Sequence, residues 1–328
     1  MILILAQDRD PSVPMVEAHL KGKGASWFRF DPGMFPSQGR LSCKYDGCGV
    51  ASRWLHFNGK SVELSSLTSI WYRHPARPVA PENLRDEQMK KWVEKESLTF
   101  IKGLWLSLDS FWVSEPQRIL DAQNKTYHLE VAAKIGFRIP ATLMTNDPEE
   151  FLRFYAECGG SVISKPSLYG DVTYGGKIYY AYTNLIKPND LGFFRSIRYA
   201  PVVFQEYVPK KVELRVTVVG EDVFAAEIHS QRSPRSKVDW RRYDLENTPY
   251  YIHDLPRGIA QMCIRLVKTL GLRYGALDFI LTPRGEYVFL ELNPNGQWGW
   301  VEALTGMPIS KAIADLLING AAKTEVSS

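Results

Sequence analysis

The chain has 328 residues, 40 Lys plus Arg against 36 Asp plus Glu, and a formal net charge of +4. At about 100–200 residues per domain it holds two or three domains, and there is ample chain to bury a core. Hydrophobic residues at 45% and charged residues at 23% exclude a disordered chain, and so small a net charge gives no case for nucleic-acid binding.

In chain order, Met1-Ile2-Leu3-Ile4-Leu5 meets Gln7, Asp8, Arg9 and Asp10 too soon for a signal peptide. It reads as the first buried strand of a cytoplasmic protein, and no apolar run is long enough for a membrane span. A helix over 13–22 and a strand at Trp27–Phe30 follow, and residues 40–64 alternate around glycines as antiparallel hairpins. Cys43 and Cys48 flank one hairpin tip; with Cys158 and Cys263 isolated, neither a zinc site nor a disulfide framework is expected. Ser69–Arg73 is a short strand. Residues 83–108 carry helical periodicity, with Met89, Trp92, Val93, Leu98, Ile101, Leu104 and Leu108 on one face. This first α/β block ends near Pro116.

Next come a helix over 122–135 closed by Gly136, a helix capped by Asp147 and Pro148, and a strand at Val162–Lys165. The glycine-rich stretch through Gly175 and Gly176 follows. Strands at 202–205, 213–219 and 223–228, a helix over 256–271, a hairpin around Thr282–Glu286 and a last helix at 309–318 complete the chain. Mixed strands and helices make it α/β in its first block and α+β in detail.

The sharpest local feature is the hairpin joining Gly275–Ile280 to Tyr287–Asn293. Turning at Arg284-Gly285, it pairs residues whose numbers sum to 569, so Asp278 faces Glu291. Glu291 and Asn293 share that face, while Leu290 and Leu292 point the other way. Opposed carboxylates repel, so two of them with an amide oxygen on an apolar hairpin suggest a cage for a hard cation such as Mg²⁺. The alternative is one acid paired with an arginine and one exposed acid. Neither a Walker nor a dinucleotide-binding motif is present. Asn124-Lys125, entering a helix, and Ser164-Lys165-Pro166, ending a strand, supply point charges suited to phosphates. Gln205-Glu206-Tyr207-Val208 follows an apolar strand and offers backbone donors and acceptors to an adenine edge. Glu213 could take ribose hydroxyls; it shares a strand face with Arg215, a pair otherwise read as a surface ion pair.

The order of these motifs resembles the ATP-grasp superfamily, and more narrowly the ATP-grasp ribosomal peptide maturases that make microviridin-type graspetides. The narrower likeness rests on Trp71-Tyr72-Arg73-His74-Pro75, Val238-Asp239-Trp240-Arg241 and the run from Phe289 through Asn293-Pro294-Asn295-Gly296-Gln297-Trp298-Gly299-Trp300. The resemblance implies a pre-ATP-grasp domain (1–116), a central lid domain (117–201), a C-terminal domain (202–320) and a frayed tail (321–328). It implies ATP and Mg²⁺ as cofactors, with the metal on Asp278, Glu291 and Asn293. Lys125 and Lys165 would hold phosphates, Gln205, Glu206, Tyr207, Val208 and Glu213 the nucleoside, and Arg215 and Arg241 the γ-phosphate or acyl phosphate.

The implied substrate is a ribosomally made precursor peptide, with a leader and a core carrying acidic and hydroxyl or Lys side chains. No nucleic-acid or membrane partner is implied. Carboxylates of the core become acyl phosphates and close ester or amide rings. The loop Tyr169–Lys177 would be a lid hinged at Gly170, Gly175 and Gly176. Trp298 and Trp300 would line the core-peptide site, and the leader would meet the helix after Pro188 around Asp190, although Arg195 and Arg198 make that segment basic. Two other readings stay open: a ligase adding free amino acids to an acceptor, and a non-catalytic nucleotide-binding regulator. A homodimer is common among the enzymes this chain resembles.

Overall fold

The computed structural model describes residues 1–167, 171–242 and 244–324. In the first block, β1 (Ile2–Ala6), α1 (Val13–Gly22), β2 (Trp27–Phe30), the meander β3 (Arg40–Tyr45), β4 (Val50–Phe57) and β5 (Lys60–Glu63), then β6 (Ser69–Arg73), α2 (Glu87–Leu106) and β7 (Phe111–Val113) follow in order. Strands β2-β1-β6-β7 form a parallel sheet. Both faces of β1 are covered, which is why ILILA is a continuous apolar run rather than an alternating one. Ile2, Ile4 and Ala6 pack against α1 and the last helix, while Leu3 and Leu5 pack against the meander and α2. Asp86 caps α2 by accepting from the Met89 N–H at 2.8 Å. The expected apolar face of α2 is only partly used: Ile101, Leu104 and Trp105 are buried, whereas Met89 and Trp92 are exposed.

The second block holds α3 (Pro116–Ala122), α4 (Lys125–Ile135), β8 (Thr142–Thr145), α5 (Pro148–Glu157), β9 (Val162–Lys165), β10 (Asp171–Tyr174), β11 (Lys177–Tyr180), β12 (Asn184–Leu185), a 3₁₀ helix (Pro188–Tyr199) and β13 (Val202–Glu206). The helix expected over 122–135 is α4, which starts three residues later at Lys125, with Asn124 in an extended conformation at the N-cap separating it from α3. Gly136 closes α4 at φ +106, a left-handed position suited to glycine. Asp147 accepts from the Glu149 N–H at 2.9 Å, so α5 starts where its cap residue placed it. Strands β12-β9-β13-β8 form an antiparallel sheet. One face packs Val162 and Phe204 against Phe151 and Phe154 of α5. The opposite face carries Lys165, Ile163 and Gln205. Gly175 and Gly176, at φ +56 and +74, make the two-residue turn between β10 and β11. Tyr169 and Gly170 of the expected lid lie outside the described residues.

The third block comprises β14 (Val212–Val219), β15 (Asp222–Ile228), β16 (Tyr250–Ile252), α6 (Arg257–Thr269), β17 (Tyr274–Leu281), β18 (Tyr287–Asn293), α7 (Gly299–Thr305) and α8 (Ile309–Thr324). Helix α8 continues well past the expected end at 318. The antiparallel sheet β16-β15-β14-β17-β18 buries Leu214, Val216, Leu277, Phe279 and Phe289 against α4 and α6. Its other face is divided. Val219, Tyr274 and Ala276 join the core under α1 and α8, while Glu213, Arg215 and Asp278 open into a cleft or lie at its back wall. Among the described residues, no helix is long and apolar enough to cross a membrane.

Candidate active site

The cleft lies between the lysine-bearing face of the four-stranded sheet and the polar part of the five-stranded one. Lys165, Gln205, Glu206, Tyr207, Val208, Glu213, Arg241, Asp278 and Glu291 all line it. Of the other expected residues, Lys125 and Arg215 stand behind this surface and bind its Glu291 and Asp278, while Asn293 lies on the same strand two residues beyond Glu291 and is not part of the lining. Apolar walls come from Ile163, Val208, Ile280 and Leu290.

Asp278 does face Glu291, but through a bulge. Near the turn the pairs are Leu281 with Tyr287 and Phe279 with Phe289, summing to 568; beyond the irregularity Asp278 pairs with Glu291 and Ala276 with Asn293. A regular hairpin would have set Asp278 opposite Leu290. The extra residue turns Leu290 into the cleft beside Glu291, correcting the expectation that it points away with Leu292.

The carboxylates are held by cations. Lys125 Nζ donates to Glu291 Oε2 at 2.7 Å, and Lys165 Nζ lies 3.7 Å from the same oxygen. Burial alone raises the Glu291 pKa, yet the two ammonium groups hold it below the usual range. Burial lowers Lys165 to about 8; Glu291 opposes the shift, and Lys125 and Arg241 add to it. Arg215 Nη1 donates to Asp278 Oδ1 at 2.9 Å, and its Nη2 donates to the Gln297 carbonyl at 3.2 Å. Glu213 does not pair with Arg215: it accepts from Lys210 Nζ at 2.9 Å and from the Ser230 hydroxyl. Burial pushes the Glu213 pKa up against these two donors. Arg241 binds Asp239 through Nε at 2.8 Å and Nη2 at 2.6 Å, and Asp239 also accepts from the Thr183 N–H at 2.8 Å. That pair ties the third block to the second across the cleft.

The residues fit a nucleotide and a hard cation. Asp278 Oδ2 and Glu291 Oε1 accept no hydrogen bond from the described residues, and Asn293 Oδ1 accepts only from the Asn295 N–H at 3.0 Å. Oxygen donors of this type suit Mg²⁺. Val208 lines the cleft, and among the described residues its N–H has no acceptor, as an adenine edge would require. Lysines and arginines at the opposite end suit a polyphosphate.

Comparison with known proteins agrees with this layout. Residues 1–120 match the family model for the MvdD pre-ATP grasp domain. A RiPP-associated ATP-grasp ligase of Chryseobacterium gregarium, solved with ADP and a leader and core peptide, has a TM-score of 0.91 and 31% identity over 97% of this chain and 96% of its own. This chain belongs to the RiPP-associated ATP-grasp ligases. The macrocyclase MdnC of Microcystis aeruginosa MRC, solved with precursor peptide MdnA, matches at TM-score 0.87 and 31% identity, covering 98% of this chain and 100% of that one. A probable alpha-L-glutamate ligase of Klebsiella pneumoniae is 28% identical over 205 residues, 62% of this chain and 66% of that ligase's length.

The ligase builds the back wall of its site from the first block. Arg73, wholly buried, donates through Nη1 to the Asn295 and Gly296 carbonyls at 2.9 and 3.3 Å and through Nη2 to the Gln297 side chain. Its Nε lies 3.1 Å from Asp10 Oδ2. Tyr274 donates to the Gly296 carbonyl at 2.6 Å. A Cβ on Gly296 would stand 2.5 Å from Arg215 Nη2 and 2.6 Å from Ala276 Cβ. Gly296→Ala is therefore expected to push Arg215 off Asp278 and to cost about 1–3 kcal/mol of stability; unchanged melting with full ADP release would refute that packing. Trp298 is wholly buried in the core and does not line a peptide site; Trp300 packs against Trp240 with ring centroids 5.1 Å apart and planes tilted by 39°. Asp190 accepts from the Lys187 N–H at 2.8 Å, closing the first turn of the 3₁₀ helix expected to meet a leader. Lys210, Asp239 and Thr183 escaped sequence reasoning, although Val238-Asp239-Trp240-Arg241 pointed to the second of them.

Proposed function

We propose that this ligase closes side-chain rings in a ribosomally made precursor peptide at the expense of ATP. Adenine lies between Ile163, Val208, Ile280 and Leu290, and its edge meets the backbone at Glu206–Val208, with Gln205 beneath. Glu213 takes the ribose hydroxyls, assisted by Lys210. Lys125 and Lys165 hold phosphates as point charges. A Mg²⁺ ion bound to Asp278, Glu291 and Asn293 would neutralise charge on the transferring phosphoryl group. Arg215 and Arg241 orient that group and the attacking peptide carboxylate, whose mutual repulsion is the main barrier to remove.

The carboxylate oxygen attacks the γ-phosphorus and ADP leaves. A Ser or Thr hydroxyl, or a Lys amine, then attacks the acyl carbon and expels phosphate. Acyl phosphates hydrolyse, so β10–β11 serves as the lid that excludes water. The division into a pre-ATP-grasp domain (1–116), a lid (117–201) and a C-terminal domain (202–320) follows this assignment of roles. The leader docks on the 3₁₀ helix Pro188–Tyr199, where Phe193 and Tyr199 are exposed; it raises the effective concentration of the core.

The observation that carries this reading is one cleft in which two lysines, two arginines and the Asp278–Glu291 pair converge, in a chain alike from end to end to ligases solved with peptides. Intact mass of the cognate precursor after incubation with enzyme, ATP and Mg²⁺ tests it. Loss of one water per ring, reversed by mild base, is the expected result for esters. Base-stable losses indicate amides, a mass gain on an acceptor indicates free amino-acid ligation, and binding without ADP release would make the chain a regulator.

A further inference from the structure

Ring closure needs a group that takes the proton of the attacking hydroxyl, and four of the five carboxylates that line the cleft are held by cations, the fifth, Glu206, being assigned above to the adenine edge. Glu213, Asp239, Asp278 and Glu291 are each ion-paired to a lysine or arginine. The described histidines lie mostly elsewhere. His19 is on α1 and His56 meets Ser61 on the meander. His128 is buried on α4, where it meets the Ala122 carbonyl and the Phe289 ring, and His229 and His253 share Glu227 at 2.8 and 2.7 Å, a residue paired with the back-facing Leu214.

His74 is different. It follows Arg73 at the C-terminal end of β6, and β1, the strand beside it, runs into Gln7 and Asp10. Because β2 and β6 flank β1 on opposite sides, this is where the strand order reverses, the usual position of a ligand crevice in a parallel sheet. His74 has φ +43, a left-handed conformation made less favourable by the Pro75 that follows. Such strain persists only where its surroundings impose it, and it clusters at functional sites. Here Gln7 Nε2 donates to the His74 carbonyl at 3.0 Å. Asp10 Oδ2 lies 3.8 Å from Nδ1, while the imidazole stays 39% exposed. That separation is an ion-pair contact rather than a hydrogen bond, and catalytic contacts often tighten only when substrate is bound. Asp10 is itself fixed by Arg73 and by the Ser12 N–H at 2.9 Å. Arg73 reaches the Gln297 side chain, and the Gln297 carbonyl holds the Arg215 that binds Asp278. A chain of contacts through Asp10, Arg73, Gln297 and Arg215 thus connects His74 to Asp278 of the cleft.

We propose that His74 is the general base of ring closure, with Asp10 as its orienting partner; this rests on the acyl-phosphate reading above. Nδ1–H faces Asp10, and Nε2 takes the hydroxyl proton as the hydroxyl oxygen bonds to the acyl carbon. The bond from that carbon to the phosphate oxygen breaks with its electron pair, and phosphate leaves. The imidazolium, steadied by Asp10, then returns its proton to phosphate or water.

The test separates the two half-reactions. His74→Asn tolerates the left-handed backbone, and His74→Gly removes the strain altogether. Each is incubated with cognate precursor, ATP and Mg²⁺, with and without hydroxylamine, which traps acyl phosphate as a hydroxamate without needing a base. Both variants are expected to form hydroxamate within about threefold of wild type and to lose ester formation by about 10²–10⁴-fold. Ester formation at the wild-type rate, or an equal fall in both products, overturns the assignment. A wild-type enzyme that yields neither hydroxamate nor water loss overturns the acyl-phosphate reading itself, and this inference with it.

Discussion

Glu291→Gln is expected to cut ADP release by about 10³-fold or more while leaving the shape of the side chain almost unchanged. The carboxylate is the anion shared by two buried lysines, Lys125 at 2.7 Å and Lys165 at 3.7 Å. Both ammonium groups favour its charged form over the neutral acid that burial would otherwise select. A glutamine removes the charge that aligns the lysines, and with it one oxygen donor of the proposed metal site. It also leaves two cations facing each other in a dry wall. Breaking a buried pair from one side costs about 3–5 kcal/mol, reduced here because Lys165, already lowered to about 8 mainly by burial, can shed its proton. ADP release in the presence of precursor and Mg²⁺, together with a thermal melt, measures both effects. A variant that keeps more than a tenth of wild-type turnover would remove Glu291 from the proposed metal and phosphate machinery.

Arg73→Ala carries the largest expected loss of stability. The guanidinium is wholly buried and joins three segments far apart in sequence: Asp10 after β1, its own strand β6, and the Asn295–Gln297 loop that follows β18. Alanine would leave Asp10 without its guanidinium partner and two loop carbonyls without a donor, at a cost of about 3–5 kcal/mol. For a chain of this size that corresponds to a melting temperature lower by about 10 °C. Arg73→Lys is expected to recover little, since one ammonium cannot serve the two sides of a planar fork.

The same cluster has a pH signature. Burial raises the Asp10 pKa, but His74, Arg73 and the Ser12 N–H together bring it down to about 2 from 3.8. A group lowered on folding stabilises the fold above its unfolded value, and that contribution is lost as pH falls from 3.8 through about 2. Asp10→Asn should therefore melt lower than wild type at neutral pH, with the difference shrinking over that acid window. A constant difference down to the lowest pH would place the stabilisation elsewhere.

The type of most elements was legible in the chain because local chemistry decides it. Asp147 and Pro148 set the start of α5, Gly136 the end of α4, and the continuous apolar run of β1 announced a strand covered on both faces. The candidate site was legible as a set of residue types in order. Its partnerships were not. Glu213 and Arg215, neighbours on one strand face, bind Lys210 and Asp278 instead of each other, because the adjoining strands and linker offer each a closer partner of opposite charge.

What the sequence determined by itself is therefore the inventory: which carboxylates, lysines and arginines exist, and which strand, helix or loop carries each. Alternation within a strand and caps at helix ends are effects of a few residues, and a few residues suffice to read them. Only the tertiary structure decided the rest. The bulge at Leu290 sets Asp278 against Glu291 and turns Leu290 into the cleft, and it depends on how β18 packs against β17 and α4. The burial of Arg73 depends on a loop more than two hundred residues away in the chain. Long-range contacts of this kind are selected by packing and by the need to pair every buried charge, and neither leaves a local trace in the order of residues.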